Sequence, residues 1–214
     1  VNRKTLKEDI MKKIDAVGID CPKPVIMVKK EFDNMEEGSV QVLADNKACV
    51  INLEKFAGSN HFEFSQEQIA DDRWEVTITK GEGQGKEVEI PEDLDLSMTH
   101  NNEDFVLAVG TKYYGTGDEE FGESLMKSFI YTVSESKPYP KKMIFFNTGI
   151  FLTTRGSDVI DDLKKLEESG VEIVSCGACL DYYEKTEDLE VGEVSNMYTI
   201  YESLRDAGRN MIIA

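Results

Sequence analysis

The chain has 214 residues, 40% hydrophobic and 31% charged, with 24 Lys and Arg against 42 Asp and Glu and a formal net charge of −18. That acidity argues against a nucleic-acid ligand, whose phosphates need a basic surface, and no apolar run approaches the roughly 20 residues of a membrane span. The first residues lack the apolar core of an export signal, so a cytoplasmic protein of one or two domains is expected, and its four cysteines (Cys21, Cys49, Cys176, Cys179) point to thiol chemistry or metal before a disulfide framework.

Residues 1–80 read as a first domain. Ile14–Ile19 is a short candidate strand, and Asp20-Cys21-Pro22 reads as a helix start, since proline in a first turn forfeits no hydrogen bond. Val25, Val28, Phe32 and Met35 fall at helical spacing and are predicted to face a core, with Glu37-Gly38 closing the helix. Val40, Val42 and Ala44 alternate as a strand. Asp45 is placed to cap a second helix, along which Cys49, Leu53 and Phe56 share a face. His61–Phe64 and Trp74–Thr79 follow as an antiparallel pair. The order βαβαββ implies a two-layer sandwich, one layer of helices on one sheet.

Residues 81–102 break this pattern with alternating glycines, Pro91 and six acids against Lys86 alone, the composition of an extended acidic linker. Residues 103–214 read as a second domain. Phe105–Val109, Met143–Phe146, Val171–Val174 and Met211–Ile213 are apolar runs suited to buried strands. Helical segments fall near Glu119–Ser134, Ser157–Ser169 and Asn196–Ala207, the middle one with Ser157 or Asp158 as its cap and Gly170 as its stop. Strands alternating with helices predict a doubly wound, mainly parallel α/β domain, whose ligands bind beyond the carboxyl ends of the strands. The formal charge divides as −3, −5 and −10 over the three segments.

Cys21 precedes Pro22-Lys23-Pro24 at a strand-to-helix junction. Free N–H groups and the dipole of a helix start favour a thiolate, and Lys23 adds positive charge. The expected chemistry is an exposed nucleophile able to hold a transferable atom as a persulfide; an inert capping cysteine is the alternative. The stretch Asp15-Ala16-Val17-Gly18-Ile19-Asp20-Cys21-Pro22-Lys23-Pro24-Val25 resembles the signature of the TusA (SirA-like) family, in which Cys-Pro-x-Pro opens a helix, and the likeness extends to Asp45-Asn46. The resemblance implies a two-layer sandwich whose cysteine, here Cys21, relays sulfur. Lys29 and Lys30 lie on the same helix, either as a solvated face or as a surface for an acidic partner.

Cys176-Gly-Ala-Cys179 follows the strand Val171–Val174. A CxxC at such a turn brings two sulfurs within reach of each other, and three uses compete. A zinc knuckle needs four ligands, and only Cys21, Cys49, His61 and His100 remain, without a second paired spacing; no metal is expected. A redox dithiol is chemically sensible, but the flanks lack an aromatic-Gly-Pro setting. A chalcogen acceptor with a resolving partner suits a chain that already carries Cys21. Cys49, facing inward with Leu53 and Phe56, reads as a core residue. Gly115-Thr-Gly117 is not a dinucleotide fingerprint, because its third glycine falls at the wrong offset; it reads as a turn shaping a pocket. Asn147-Thr-Gly149 ends a strand and is placed to line one. The two histidines do not assemble a hydrolase triad.

Four blocks of this half, Gly115–Gly122, Phe145–Gly149, Cys176–Tyr183 and Ser195–Tyr198, resemble the second domain of YedF-type proteins. These fuse a TusA-like domain to a DsrE-like domain and are grouped as sulfurtransferase-like selenium metabolism proteins. The resemblance implies that Cys179 carries sulfur with Cys176 as its partner, although paired cysteines depart from single-cysteine DsrE chains. Pro22, Lys23, Pro24, Gly115, Gly117, Asn147, Gly149 and Asn196 would support the two sites. It implies a donor of the cysteine desulfurase or selenocysteine lyase type, an acceptor protein, and assembly of copies through the DsrE-like domain, with no cofactor. The competing expectation is a dithiol oxidoreductase, or a redox-sensing binding protein without transferase activity.

Overall fold

A computed structural model describes residues 11–81 and 105–214. Most of the expected linker and His100 lie outside the described residues. The chain divides into two compact units, Val1–Leu94 and Asp95–Ala214, each considered by itself.

The first unit runs β1 (Met11–Asp15), α1 (Lys23–Asp33), β2 (Gly38–Ala44), α2 (Lys47–Ser59), β3 (Glu63–Ala70) and β4 (Arg73–Lys80). Its sheet has the order β1-β2-β4-β3, with β1 parallel to β2 and the other pairs antiparallel. Side chains alternate across the sheet. Val40, Val42, Ala44, Val76 and Ile78 are buried under the helices with Val28, Phe32, Leu53 and Ala57. The opposite face is polar, and there Ser39 bonds Thr79 at 2.9 Å while Gln41 donates to Glu75 at 3.1 Å. One apolar face needs one layer of helices, which is why the unit closes as two layers. Trp74 packs at the edge of this core.

Four details depart from the reading of the sequence. The first strand ends at Asp15 rather than reaching Ile19, because the chain turns at Gly18, whose φ of 70° suits glycine. Helix α1 ends at Asp33, four residues before the expected stop. Asp45 does not cap α2. Asn46 does, accepting from the Cys49 N–H at 2.8 Å, while Asp45 reaches across to the Gly18 N–H at 2.7 Å. His61 belongs to a turn at φ 58° and precedes β3 instead of starting it.

The second unit runs β5 (Phe105–Val109), α3 (Glu119–Glu135), β6 (Lys142–Phe145), a 3-10 helix (Asn147–Leu152), α4 (Ile160–Glu168), β7 (Glu172–Cys176), α5 (Gly177–Tyr182), a short 3-10 helix (Thr186–Asp188), β8 (Glu193–Ser195), α6 (Met197–Arg205) and β9 (Arg209–Ile213). The five strands are all parallel, in the order β8-β7-β6-β5-β9. Alternation again sorts the sheet. Leu107, Val109, Met143, Phe145 and Ile173 join Met126, Ile130, Leu163 and Leu166 from α3 and α4. Val106, Ala108, Ile144, Val174 and Cys176 join Ile200 from α6. Helices therefore cover both faces, the doubly wound arrangement expected for a parallel sheet. Neither Ser157 nor Asp158 caps α4. Val159 holds the cap position, and the Ser157 hydroxyl accepts from its N–H at 3.3 Å.

Candidate functional site

Cys21 lies in the turn between β1 and α1, exposed to solvent. Pro22 occupies the cap position after a cis Cys21–Pro22 bond, and Pro24 sits in the first helical turn, where its missing N–H costs no hydrogen bond. The thiol does not cap the helix; its Sγ instead accepts from the Asn52 side-chain N–H at 3.3 Å. Asn52 belongs to α2, so this contact ties the turn to the second helix. The Asp45–Gly18 bond holds the other end of the same turn. Together the two bonds fix the turn at the sulfur itself and at Gly18, three residues ahead of it. Cys21 opens onto a cavity of about 230 Å³ lined by Pro24, Val25, Ala48 and Cys49 as well as Asp20, Asn46 and Asn52. Lys23 is exposed at the first residue of α1.

In the second unit Cys176 ends β7 and Cys179 lies one turn into α5. Cys176 is buried on the α6 face, whereas Cys179 is half-buried and packs against the cores of both faces. Both are free thiols. Burial pushes the Cys179 thiol up, and a hydrogen bond with Cys176 pushes it further. Acting against these, the Asn147 backbone N–H donates to the Cys179 Sγ at 3.1 Å. Asn147 opens the 3-10 helix after β6 at φ 49°, a left-handed conformation that asparagine tolerates. Its side-chain oxygen accepts from the Tyr183 hydroxyl at 3.0 Å. Below them, the Thr153 and Ser175 hydroxyls meet at 2.8 Å in full burial and fasten the 3-10 helix to β7. A Cβ at Gly149 would overlap the Val109 carbonyl oxygen, so only glycine lets this segment pass so close to the end of β5. The site thus stands beyond the carboxyl ends of neighbouring parallel strands, where ligands of such sheets bind.

Of the second-unit residues singled out in the sequence, Cys176, Cys179 and Asn147 meet directly, and Gly149 supports Asn147 from the same 3-10 helix. Gly115 and Gly117 stand in an exposed turn before α3 with open space around them. Asn196 caps α6, accepting from the Thr199 N–H at 3.0 Å. Sequence reasoning missed Asn52 and Tyr183. Tyr183 follows Cys179 by four residues, the spacing of helical neighbours, and that signal was available. Asn52 carried none, since its tie to Cys21 spans 31 residues. A second cavity of about 410 Å³, between α3 and the segment 151–159 that precedes α4, is lined by four cations. Each is paired: Lys112 with Glu123, Lys127 with Asp158, Lys185 with Asp188, and Arg155 with Asp188 and Glu190. It includes neither cysteine among its lining residues.

A small α/β sandwich presenting an exposed thiol in the turn before its first helix has the form of a thiol-based carrier. Residues 12–80 match the family described as sulfurtransferase TusA, and the chain belongs to that family through this segment. It is 32% identical over 71 residues to a candidate sulfur carrier protein, MJ0990, of Methanocaldococcus jannaschii, spanning 33% of this chain and 95% of that one. Among solved structures it is similar to a SirA-like protein from Desulfitobacterium hafniense, at 36% identity over 34% of this chain and all of that one, with a TM-score of 0.32. A likeness to the ychN protein from E. coli covers 51% of this chain and 97% of that one, at 15% identity and a TM-score of 0.41. Among the described residues no helix is long and apolar enough to cross a membrane.

Proposed function

We propose that the chain is a two-site chalcogen carrier in which Cys21 is one site and Cys179, assisted by Cys176, the other. The observation that carries this reading is the exposed Cys21 thiol at the mouth of its cavity, held by Asn52 within the TusA-matched segment. In the first step the Cys21 thiolate attacks the terminal sulfur of a donor persulfide. A new S–S bond forms to that sulfur, the donor's own S–S bond breaks, and the donor leaves as a thiolate. The reverse exchange hands the atom to an acceptor. Pro22, Lys23 and Pro24 set the approach to the thiol.

For the second unit we read a DsrE-like domain, making the whole a YedF-type fusion acting in selenium metabolism with selenium or sulfur as cargo. The Asn147 N–H aimed at the Cys179 Sγ supports this, since a donor there stabilises a thiolate or a persulfide anion. The donor would be of the cysteine desulfurase or selenocysteine lyase type, in the cytoplasm. Gly115, Gly117 and Asn196 would shape the approach to this second site. The exposed Met197, Tyr198 and Tyr201 on one side of α6 favour self-assembly through this unit.

The test is to incubate the reduced chain with a desulfurase and cysteine, or with a selenocysteine lyase and selenocysteine, then measure intact mass and map the adduct. One sulfur or selenium atom should appear on Cys21 or Cys179, and Cys21→Ala or Cys179→Ala should remove the corresponding adduct. If neither is loaded while a Cys176–Cys179 disulfide cycles readily, the chain is a dithiol oxidoreductase instead.

A further inference from the structure

Transfer through Cys21, Cys176 and Cys179 leaves Cys49 without a role. Cys49 is a core residue, only 5% exposed, yet it also forms part of the wall of the cavity onto which Cys21 opens. Asn46 fixes the first turn of α2 by accepting from the Cys49 N–H. Cys49 and Asn52 are three residues apart and so lie on one helix face. Asn52 from that face already touches the Cys21 sulfur at 3.3 Å. The remaining walls include Pro24, Val25 and Ala48, side chains with no nucleophile of their own.

We propose that Cys49 is an internal resolving thiol for Cys21. This deepens the reading of Cys21 as a carrier and rests on it. The Cys49 sulfur attacks the inner sulfur of a Cys21 persulfide anion. A Cys21–Cys49 disulfide forms, the bond to the outer sulfur breaks, and that atom leaves as hydrosulfide with the Cys49 proton. The two thiol sulfurs are oxidised and the carried atom is reduced, so no outside oxidant or reductant enters. With selenium as cargo the same exchange releases hydrogen selenide anion.

The surroundings make this release slow. Burial, then the negative charge of Cys21 and Asp45, pushes the Cys49 thiol up to about 11. The titratable groups facing it are Cys21 and Asp20 from the turn before α1 and Asp45 from the end of β2. No lysine or arginine lines the cavity among the described residues. The attacking thiolate is therefore scarce at neutral pH, and its attack on an uncharged mixed disulfide at Cys21 should quicken about tenfold per pH unit until the thiol titrates. A carried atom would remain available to a partner at neutral pH and be discharged internally only if none arrives.

The test uses the full chain with Cys176→Ser and Cys179→Ser, leaving Cys21 and Cys49. Brief treatment with the disulfide of thionitrobenzoate should mark Cys21. Attack by Cys49 should then release a second equivalent of the coloured thiol and leave an internal disulfide, seen by intact mass and peptide mapping. In Cys49→Ser, and in Cys49→Ala as a second variant, the adduct should persist at least about tenfold longer. Equal adduct lifetimes with and without Cys49 would overturn the proposal. In a second arm Cys21 is loaded by a desulfurase and sulfide release is followed. Release that ignores Cys49 sinks the resolving role while leaving the carrier standing. Failure to load Cys21 sinks the carrier, and the first arm still decides what Cys49 does.

Discussion

At the scale of single residues, the two proposed carrier thiols differ in setting. Cys21 is exposed and held by one side-chain N–H, whereas Cys179 is half-buried, with opposing influences on its proton. Those influences separate by substitution. Cys176→Ala removes the neighbour that raises the Cys179 thiol, so the pH midpoint of Cys179 alkylation should fall. Asn147→Val places a β-branched residue at φ 49°, where it is strained, and should swing the backbone N–H away so that the midpoint rises. Asn147→Gly tolerates that conformation and should leave the midpoint unchanged. Alkylation rates at Cys179, mapped by mass spectrometry across pH, check all three, and a single direction for both Cys176→Ala and Asn147→Val would contradict the assignment.

At the scale of elements, the 3-10 helix after β6 positions the Asn147 donor, and its position depends on Gly149 passing against the end of β5. Gly149→Ala should destabilise the second unit by roughly 1–3 kcal/mol through overpacking and raise the Cys179 midpoint by displacing Asn147. Gly117→Ala, in open space, should change stability by less than about 0.5 kcal/mol. Denaturant titration of the two variants compares them directly. The contrast also shows what the sequence could convey. Strict alternation made β2 legible, because one face of its sheet is apolar and the other polar. The strand through Ile14–Ile19 was overextended because Gly18 was needed for a turn rather than tolerated in a strand. Asp45 and Asn46 are adjacent residues of equal capping propensity, and only the fold decides that Asp45 serves Gly18 while Asn46 serves α2. Strand β8 is three residues with Glu193 and Val194 exposed, so no buried pattern marks it. The CxxC was readable as a site because its two sulfurs are local to each other, and Tyr183 was within reach by its spacing from Cys179, whereas the Asn52–Cys21 and Tyr183–Asn147 contacts themselves link segments more than thirty residues apart.

At the scale of the whole molecule, one hydrophobic core lies in the first compact unit and two, one on each face of the sheet, in the second. Leu53 is fully buried in the first, and Leu53→Ala should cost that unit about 2–5 kcal/mol. Its thermal transition should fall while the alkylation of Cys179 at moderate temperature stays as in the parent chain. Loss of Cys179 protection in the same variant would show that the second unit depends on the first.

Trp74, at the edge of the first core, gives this separation an optical consequence. The chain has one tryptophan and eight tyrosines, and every tyrosine lies at or after Tyr113. Emission excited at the red edge therefore comes from the first unit alone, and phenolic absorbance from the second. The protein carries two kinds of native chromophore, one kind per unit, so events at Cys21 and at Cys179 can be followed in one cuvette without a label.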